Sequence, residues 1–403
     1  MAVIRTALLA CLVGIVLYVY FEPIPDAIEI PWKLKLISHL FPVTSRLASI
    51  MPEGEVKTWL DTFLVGAMRS SGPNVTYRDT TYGGVPVRVF DDQHDGEKAA
   101  KRPAIVYYHG GGWILGRVDL YHALTSEIAR ETGAVVVSVE YRLAPKHVFP
   151  AAIDDCTAAT VGFLQHLQDL NVDPTRVAVM GDSAGGNLAA AVAQRLTFDP
   201  KYKKLPGLKM QVLIYPCLQA FDYQTPSIQQ NGDYKTVILN RVNTAWFLSV
   251  YLNFSPSFRT PMSLNQHTSA KAKRSPLIKK CLSHDLIPDE FKQTGYKAPS
   301  TDFGDEDIYK EIKDVLLNPD FSPLMREDLR GLPEAYILTA EYDVLRDDGI
   351  MYAKRLEKAG VPVTWKHYKK GYHAMFDIKG GFRSSPSSEL ASEDFYNFAK
   401  KHL

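Results

Sequence analysis

Val177-Ala178-Val179-Met180-Gly181-Asp182-Ser183-Ala184-Gly185-Gly186-Asn187 runs from four apolar residues into a Gly-x-Ser-x-Gly pattern. The apolar run reads as a buried strand, and residues 187–196 are rich in helix formers. A serine placed between the two sits on a turn so sharp that small residues are needed two positions to either side for the chain to pass itself. The helix that follows aims the positive end of its dipole at Ser183. Such a five-residue pattern also arises by chance in Gly-rich turns. Its weight as a nucleophile therefore depends on what accompanies it.

A second signal lies upstream. Residues 104–108 read as a strand that runs into His109-Gly110-Gly111-Gly112-Trp113. Consecutive glycines leave backbone amides unobstructed. An ester carbonyl becomes an oxyanion during acyl transfer, and removing one preorganised N–H donor costs roughly 100- to 1000-fold in rate. The loop from His109 through Gly112, together with Ala184, is the expected oxyanion hole, with Gly111, Gly112 and Ala184 as donors. His109 and Gly110 open the loop, and the His109 ring is expected to anchor it by hydrogen bonding rather than to act as a base.

The remaining partners of a serine nucleophile should follow in the order acid, then histidine, each on a loop after a later strand. Residues 335–339 form a convincing strand, and Asp343 is the best-placed carboxylate beyond it. Glu341 still belongs to the strand end, and Asp347 and Asp348 fall where a helix should start, where they read as caps. Residues 361–368 give the last strand, and His373 lies on the loop after it. His367 falls inside the strand pattern and His402 at the carboxyl end, so His373 is the expected general base.

The combination of His109-Gly110-Gly111-Gly112-Trp113, Glu140-Tyr141-Arg142-Leu143-Ala144-Pro145 and Gly181-Asp182-Ser183-Ala184-Gly185-Gly186-Asn187 resembles the hormone-sensitive-lipase branch of the α/β-hydrolases. Within that branch it is most similar to the group of arylacetamide deacetylase and neutral cholesterol ester hydrolase. Supporting stretches are Tyr20-Phe21-Glu22-Pro23-Ile24-Pro25, Leu213-Ile214-Tyr215-Pro216-Cys217-Leu218-Gln219, and the run from Asp343 to Leu356. The resemblance implies Ser183 as nucleophile, Asp343 as orienting acid and His373 as base, with the 109–112 loop and Ala184 as oxyanion hole. Residues 258–316 and 377–388 depart from the family pattern.

With 403 residues, a net charge near +1 and 46% hydrophobic residues, the chain can bury a large α/β core as one domain with insertions. Its short basic clusters carry no nucleic-acid motif, so nucleic acid is not an expected partner. No cofactor or metal pattern is present, and none is expected. Of four cysteines, Cys11 lies in a hydrophobic amino-terminal run; Cys156 and Cys217 read as inert core thiols, and at most one disulfide could form among Cys156, Cys217 and Cys281.

Residues 6–21 are uncharged and mostly apolar, preceded by Arg5 and followed by Glu22 and Asp26. This predicts an uncleaved signal-anchor helix over residues 1–22, and bulky Tyr18, Tyr20 and Phe21 stand where a cleavage site would need small residues. A secreted enzyme with a cleaved signal is the competing reading. The positive-inside rule then predicts a single-pass type II protein of the endoplasmic reticulum membrane, with residues 23–403 in the lumen. Two sequons, at Asn74 and Asn253, are expected glycosylation sites on that side.

Apolar runs predict strands at 85–90, 104–108, 134–139, 177–180, 210–215, 335–339 and 361–368 in a mostly parallel, twisted α/β sheet flanked by helices. Residues 23–80 and 217–332 are assigned to a helical cap, and a terminal helix over 388–402 should cover the sheet through Leu390, Phe395 and Phe398. The aromatic run at 246–252 is expected to pack within the cap or to line a pocket. An apolar cap over a serine site favours a hydrophobic lipid ester, such as a cholesteryl ester or an acetyl ether glycerolipid. Two alternatives remain: an arylacetamide deacetylase-type amidase or esterase acting on xenobiotics and glycerolipids, and a catalytically silent receptor or adhesion module. No triad member is missing, which weighs against the second.

Overall fold

The computed structural model describes residues 20–36, 38, 39, 46, 75–91, 101–235, 238–377 and 384–403. Eight strands form one sheet: β1 (Tyr77–Tyr82), β2 (Val85–Phe90), β3 (Arg102–Tyr108), β4 (Val135–Val139), β5 (Val172–Asp182), β6 (Met210–Ile214), β7 (Glu334–Tyr342) and β8 (Val363–Tyr372). Their spatial order is β1-β2-β4-β3-β5-β6-β7-β8. β2 runs antiparallel to β1 and β4, and every other neighbouring pair is parallel.

Parallel crossovers cover both faces of the sheet, so its central strands are apolar on both sides. In β3, Val106 and Tyr108 enter one core cluster while Ile105 and Tyr107 enter the other. The second face is covered by α1 (His122–Thr132) through Leu124 and Ile128, and by the carboxyl-terminal helix through Phe395 and Ala399. The first face carries α2 (Ala151–Leu164) and α3 (Ala184–Phe198). Six short helices then intervene: α4 (Pro226–Asn231), α5 (Arg241–Tyr251), α6 (Arg259–Ser263), α7 (Ala270–Lys273), α8 (Pro276–Leu282) and α9 (Glu306–Leu316). The apolar sides of α5, α8 and α9 join the same cluster as α10 (Arg346–Lys358).

Three expectations need correcting. Residues 77–80, assigned to the cap, belong to edge strand β1, whose Tyr-Arg-Asp-Thr sequence is largely exposed and so carries no apolar run. The terminal helix α11 (Pro386–His402) starts two residues early, where Ser385 closes a capping box with Ser388. Leu390 on this helix is 51% exposed, because the buried stripe runs through Ser388, Ala391, Phe395 and Ala399.

The expected anchor helix and Asn74 lie, but for Tyr20, Phe21 and Glu22, outside the described residues. Among the described residues no helix is long and apolar enough to cross a membrane. Asn253 is exposed, in a left-handed conformation (φ 57°) just past α5. Cys156, Cys217 and Cys281 are buried free thiols.

Candidate active site

β5 ends at Asp182 and α3 begins at Ala184, which leaves Ser183 alone on the turn with φ 53° and ψ −115°. A non-glycine residue held at positive φ is strained, and here neighbouring backbone imposes it. The Ser183 amide donates to the Ile214 carbonyl of β6 at 2.9 Å. Gly185 lies so close under β3 that a Cβ there would stand 1.9 Å from the Tyr108 carbonyl oxygen. This approach is the physical reason for a glycine two residues after the serine.

The three side chains brought together from distant segments form one chain of hydrogen bonds. His373, just beyond β8, has Nε2 2.9 Å from the Ser183 Oγ and Nδ1 2.7 Å from the Asp343 Oδ2. Asp343 follows β7, is fully buried, and accepts the Leu345 amide at 2.9 Å through its other oxygen. That second bond holds the carboxylate plane while the first orients the imidazole.

The glycine loop after β3 divides its work. The Gly110 amide donates to Asp182 Oδ1 at 2.9 Å and is therefore engaged as a support, not turned to the cavity. His109 is fully buried, stacks on Tyr141 with ring centroids 4.3 Å apart, and has Nδ1 2.8 Å from the Gly110 carbonyl. Burial pushes its pKa down to about 4, so the ring is neutral. The Tyr141 hydroxyl donates to the His109 carbonyl at 2.6 Å. The amides of Gly111, Gly112 and Ala184 donate to no acceptor among the described residues, and all three residues line the cavity that contains Ser183 and His373. Gly112 has φ 63°, and a Cβ there would meet the Phe247 ring at 2.2 Å.

The cavity wall is mainly apolar, through Leu115, Ile238, Leu239, Phe247, Leu248 and Leu345. Helix α5 thus does both things expected of its aromatic run: Phe247 and Leu248 face the cavity, while Tyr251 stacks on Trp113 at 4.5 Å.

The rival residues are accounted for elsewhere. Glu341 pairs with Arg346 at 2.7 Å and with His367 at 2.9 Å. His402 pairs with Glu334 at 3.0 Å. Asp347 and Asp348 are not caps. Asp347 accepts the Ser227 amide at 2.5 Å and Arg346 Nε at 2.9 Å, while Asp348 accepts the Leu218 amide at 2.8 Å and Gln219 Nε2 at 3.0 Å. Both carboxylates therefore tie the segment after β6 to the first turn of α10, which follows Asp343.

Asp182 was not singled out from sequence. It is 1% exposed and gathers the Gly110 amide together with hydroxyls of Tyr107 at 2.6 Å and Tyr121 at 3.2 Å. The available signal was a carboxylate closing an apolar strand, where burial demands donors. Among the described residues no group of histidines, cysteines and carboxylates could hold a metal ion.

The family described as alpha/beta hydrolase fold matches residues 105–293 and 287–377. The chain is 42% identical over 379 residues to neutral cholesterol ester hydrolase 1 of Rattus norvegicus, covering 91% of each chain. It is 38% identical to arylacetamide deacetylase of Bos taurus, covering 93% of this chain and 95% of that one. Among solved structures, a hyperthermophilic esterase from the archaeon Pyrobaculum calidifontis superposes with a TM-score of 0.62 at 26% identity, covering 91% of this chain and 93% of that one. A thermostable carboxylesterase from a metagenomic library gives 0.62 at 26% identity, with 91% and 97% covered.

Proposed function

Because this chain belongs to the α/β-hydrolase family, in the group of neutral cholesterol ester hydrolase and arylacetamide deacetylase, we propose that it is a membrane-anchored serine carboxylesterase that cleaves hydrophobic lipid esters. The observation that carries this is the continuous contact from Ser183 Oγ through His373 to Asp343, at 2.9 and 2.7 Å.

In this mechanism His373 takes the proton from Ser183 as its oxygen attacks the ester carbonyl, and Asp343 steadies the imidazolium. The developing oxyanion is received by the amides of Gly111, Gly112 and Ala184. His373 returns the proton to the departing alcohol, leaving an acyl-enzyme on Ser183. Water, deprotonated by the same histidine, then releases the acid. The apolar cavity wall supports a hydrophobic substrate, and a cholesteryl ester or an acetyl ether glycerolipid suits it. An arylacetamide passes through a similar tetrahedral intermediate, differing in the leaving amine that His373 must protonate, and is the second reading, favoured by the likeness to arylacetamide deacetylase. The uncharged run at 6–21 after Arg5 supports attachment to the endoplasmic reticulum membrane with the catalytic body in the lumen, where Asn74 and Asn253 would be open to glycosylation.

The test is turnover of a cholesteryl ester, an acetyl ether glycerolipid and an acetanilide by full-length protein and by Ser183→Ala. Hydrolysis of the esters by the parent, with loss of both turnover and fluorophosphonate labelling in the variant, is the expected result. Near-normal turnover by Ser183→Ala refutes the mechanism.

A further inference from the structure

We propose that Tyr251 is a positioning residue for oxyanion stabilisation: its ring clamps Trp113 from helix α5 and so fixes the backbone of Gly111 and Gly112, whose amides receive the oxyanion in the esterase reading on which this inference rests.

The arrangement starts from helical spacing. Thr244, Phe247, Leu248 and Tyr251 stand at positions i, i+3, i+4 and i+7 of α5 and so share one face. The first three line the cavity that holds Ser183 and His373. One turn on from Phe247, Tyr251 is buried against the glycine loop: its ring lies parallel to that of Trp113, with 2° between the planes and 4.5 Å between centroids. Phe247 touches the same loop one residue earlier, since a Cβ on Gly112 would stand 2.2 Å from its ring. Helix α5 therefore meets the loop at two consecutive residues, Gly112 and Trp113.

The loop's conformation needs such support. Gly111, Gly112 and Trp113 all have positive φ, at 111°, 63° and 60°. Glycine adopts such values freely, but a tryptophan at φ 60° is strained and stays there only where its surroundings hold it. The Trp113 carbonyl accepts the Ala144 amide at 2.9 Å, and the Trp113 ring is gripped by Tyr251. Rotation about φ at Trp113 would turn the peptide that joins it to Gly112 and shift the amides before it. At the other end of the loop the Gly110 amide is fixed on Asp182 at 2.9 Å. Gly111 and Gly112 thus lie between two anchors, one from the residue before Ser183 and one from α5.

Tyr251 is itself held in place. Its carbonyl accepts the Phe149 amide at 2.9 Å, and the Phe149 ring meets its ring edge to face at 6.0 Å. Phe321 closes the other side, 6.0 Å from Trp113 and 6.2 Å from Tyr251. A stack enclosed in this way is formed before substrate arrives, which is the preorganisation that oxyanion donors require. Displaced donors weaken the transition state more than the bound ester, so the signature of the clamp belongs in kcat rather than in KM.

The test compares full-length protein with Tyr251→Leu and Tyr251→Phe on a water-soluble butyrate ester, with rates expressed per site labelled by a fluorophosphonate so that unfolded protein does not count. A trifluoromethyl ketone inhibitor is the second probe: Ser183 Oγ adds to its carbonyl carbon, the hydroxyl proton passes to His373, and the carbonyl electron pair becomes an oxyanion that calls on the same donors. Tyr251→Leu should lower kcat and ketone affinity together, each about tenfold or more, with KM changed less than about threefold. Tyr251→Phe, which keeps the ring, should restore both to within about twofold. Unchanged kinetics in Tyr251→Leu, a change in KM alone, a fall in kcat without weaker ketone binding, or an equal loss in Tyr251→Phe overturns the clamp. Trp113→Phe trims the other ring of the stack and decides the matter if Tyr251→Leu gives no labelled sites: kcat and ketone affinity should fall together by about threefold, and unchanged values overturn the clamp. A parent that neither turns over the ester nor takes the label removes the esterase reading and the clamp's role with it, an outcome distinct from an active parent matched by its variants.

Discussion

The Gly110 amide and the Asp182 carboxylate meet at 2.9 Å, so the residue before Ser183 holds the loop whose Gly111 and Gly112 line the same cavity as Ser183. Elbow and loop follow the neighbouring paired strands β5 and β3, and this contact joins them just past the ladder. Asp182→Asn keeps the side-chain shape but loses the charge that strengthens the bonds from Gly110, Tyr107 and Tyr121. We expect kcat to fall about tenfold or more with KM changed less than about threefold, since the loop acts on the transition state. Steady-state kinetics on a soluble ester checks this, and a change confined to KM contradicts it.

Asp343 and Glu341 both lie near the end of β7, yet only Asp343 contacts His373. Asp343→Asn should lower kcat by about four decades, because the amide stabilises the wrong imidazole tautomer and leaves the imidazolium unpaired. Glu341→Gln should cost less than about tenfold, since it weakens pairs with Arg346 and His367 away from the nucleophile. Parallel kcat measurements decide, and a reversed ranking would make Glu341 the orienting acid.

Gly185→Ala inserts a methyl 1.9 Å from the Tyr108 carbonyl oxygen, a backbone atom that cannot step aside without moving β3. The expected outcome is destabilisation of about 3 kcal/mol together with loss of activity, because relief of the clash displaces Ser183. Urea unfolding followed by circular dichroism supplies the first quantity, and fluorophosphonate labelling the second.

Asp348 has a pH signature of its own. Burial, ahead of the opposing donors Gln219 and Leu218, pushes its carboxyl from the ordinary 3.8 up to about 7. Between those two values the folded protein holds a proton that the unfolded chain has released, so this group makes stability fall as pH rises from about 4 to about 7. Asp348→Asn removes the titration. The melting temperature of the variant relative to the parent should therefore rise steadily across that window. A difference that stays constant with pH would show that Asp348 does not change protonation there.

Which three distant residues meet, Ser183, Asp343 and His373, could be read without coordinates. Ser183 and Asp343 each follow an apolar run of strand length, His373 follows a strand that mixes apolar and basic residues, and three adjacent glycines mark a loop in which the Gly111 and Gly112 amides are unobstructed. These are local patterns, because strand burial and turn sterics act over a few residues. Edge strand β1 escaped for the same reason: its exposed face imposes no hydrophobic periodicity, and it exists by pairing with β2.

What only the tertiary structure decided are the partners of buried polar groups. Asp347 and Asp348 look like helix caps by position, but their oxygens face amides of residues 227 and 218, more than a hundred positions away. Asp182 is one arbitrary letter of a Gly-x-Ser-x-Gly pattern until the fold brings Gly110, Tyr107 and Tyr121 around it. A strand's apolar pattern specifies which face is covered, and so the class of the fold. A carboxylate in that interior must find donors wherever the packed chain supplies them, and those donors are set by three-dimensional proximity, which local sequence does not encode.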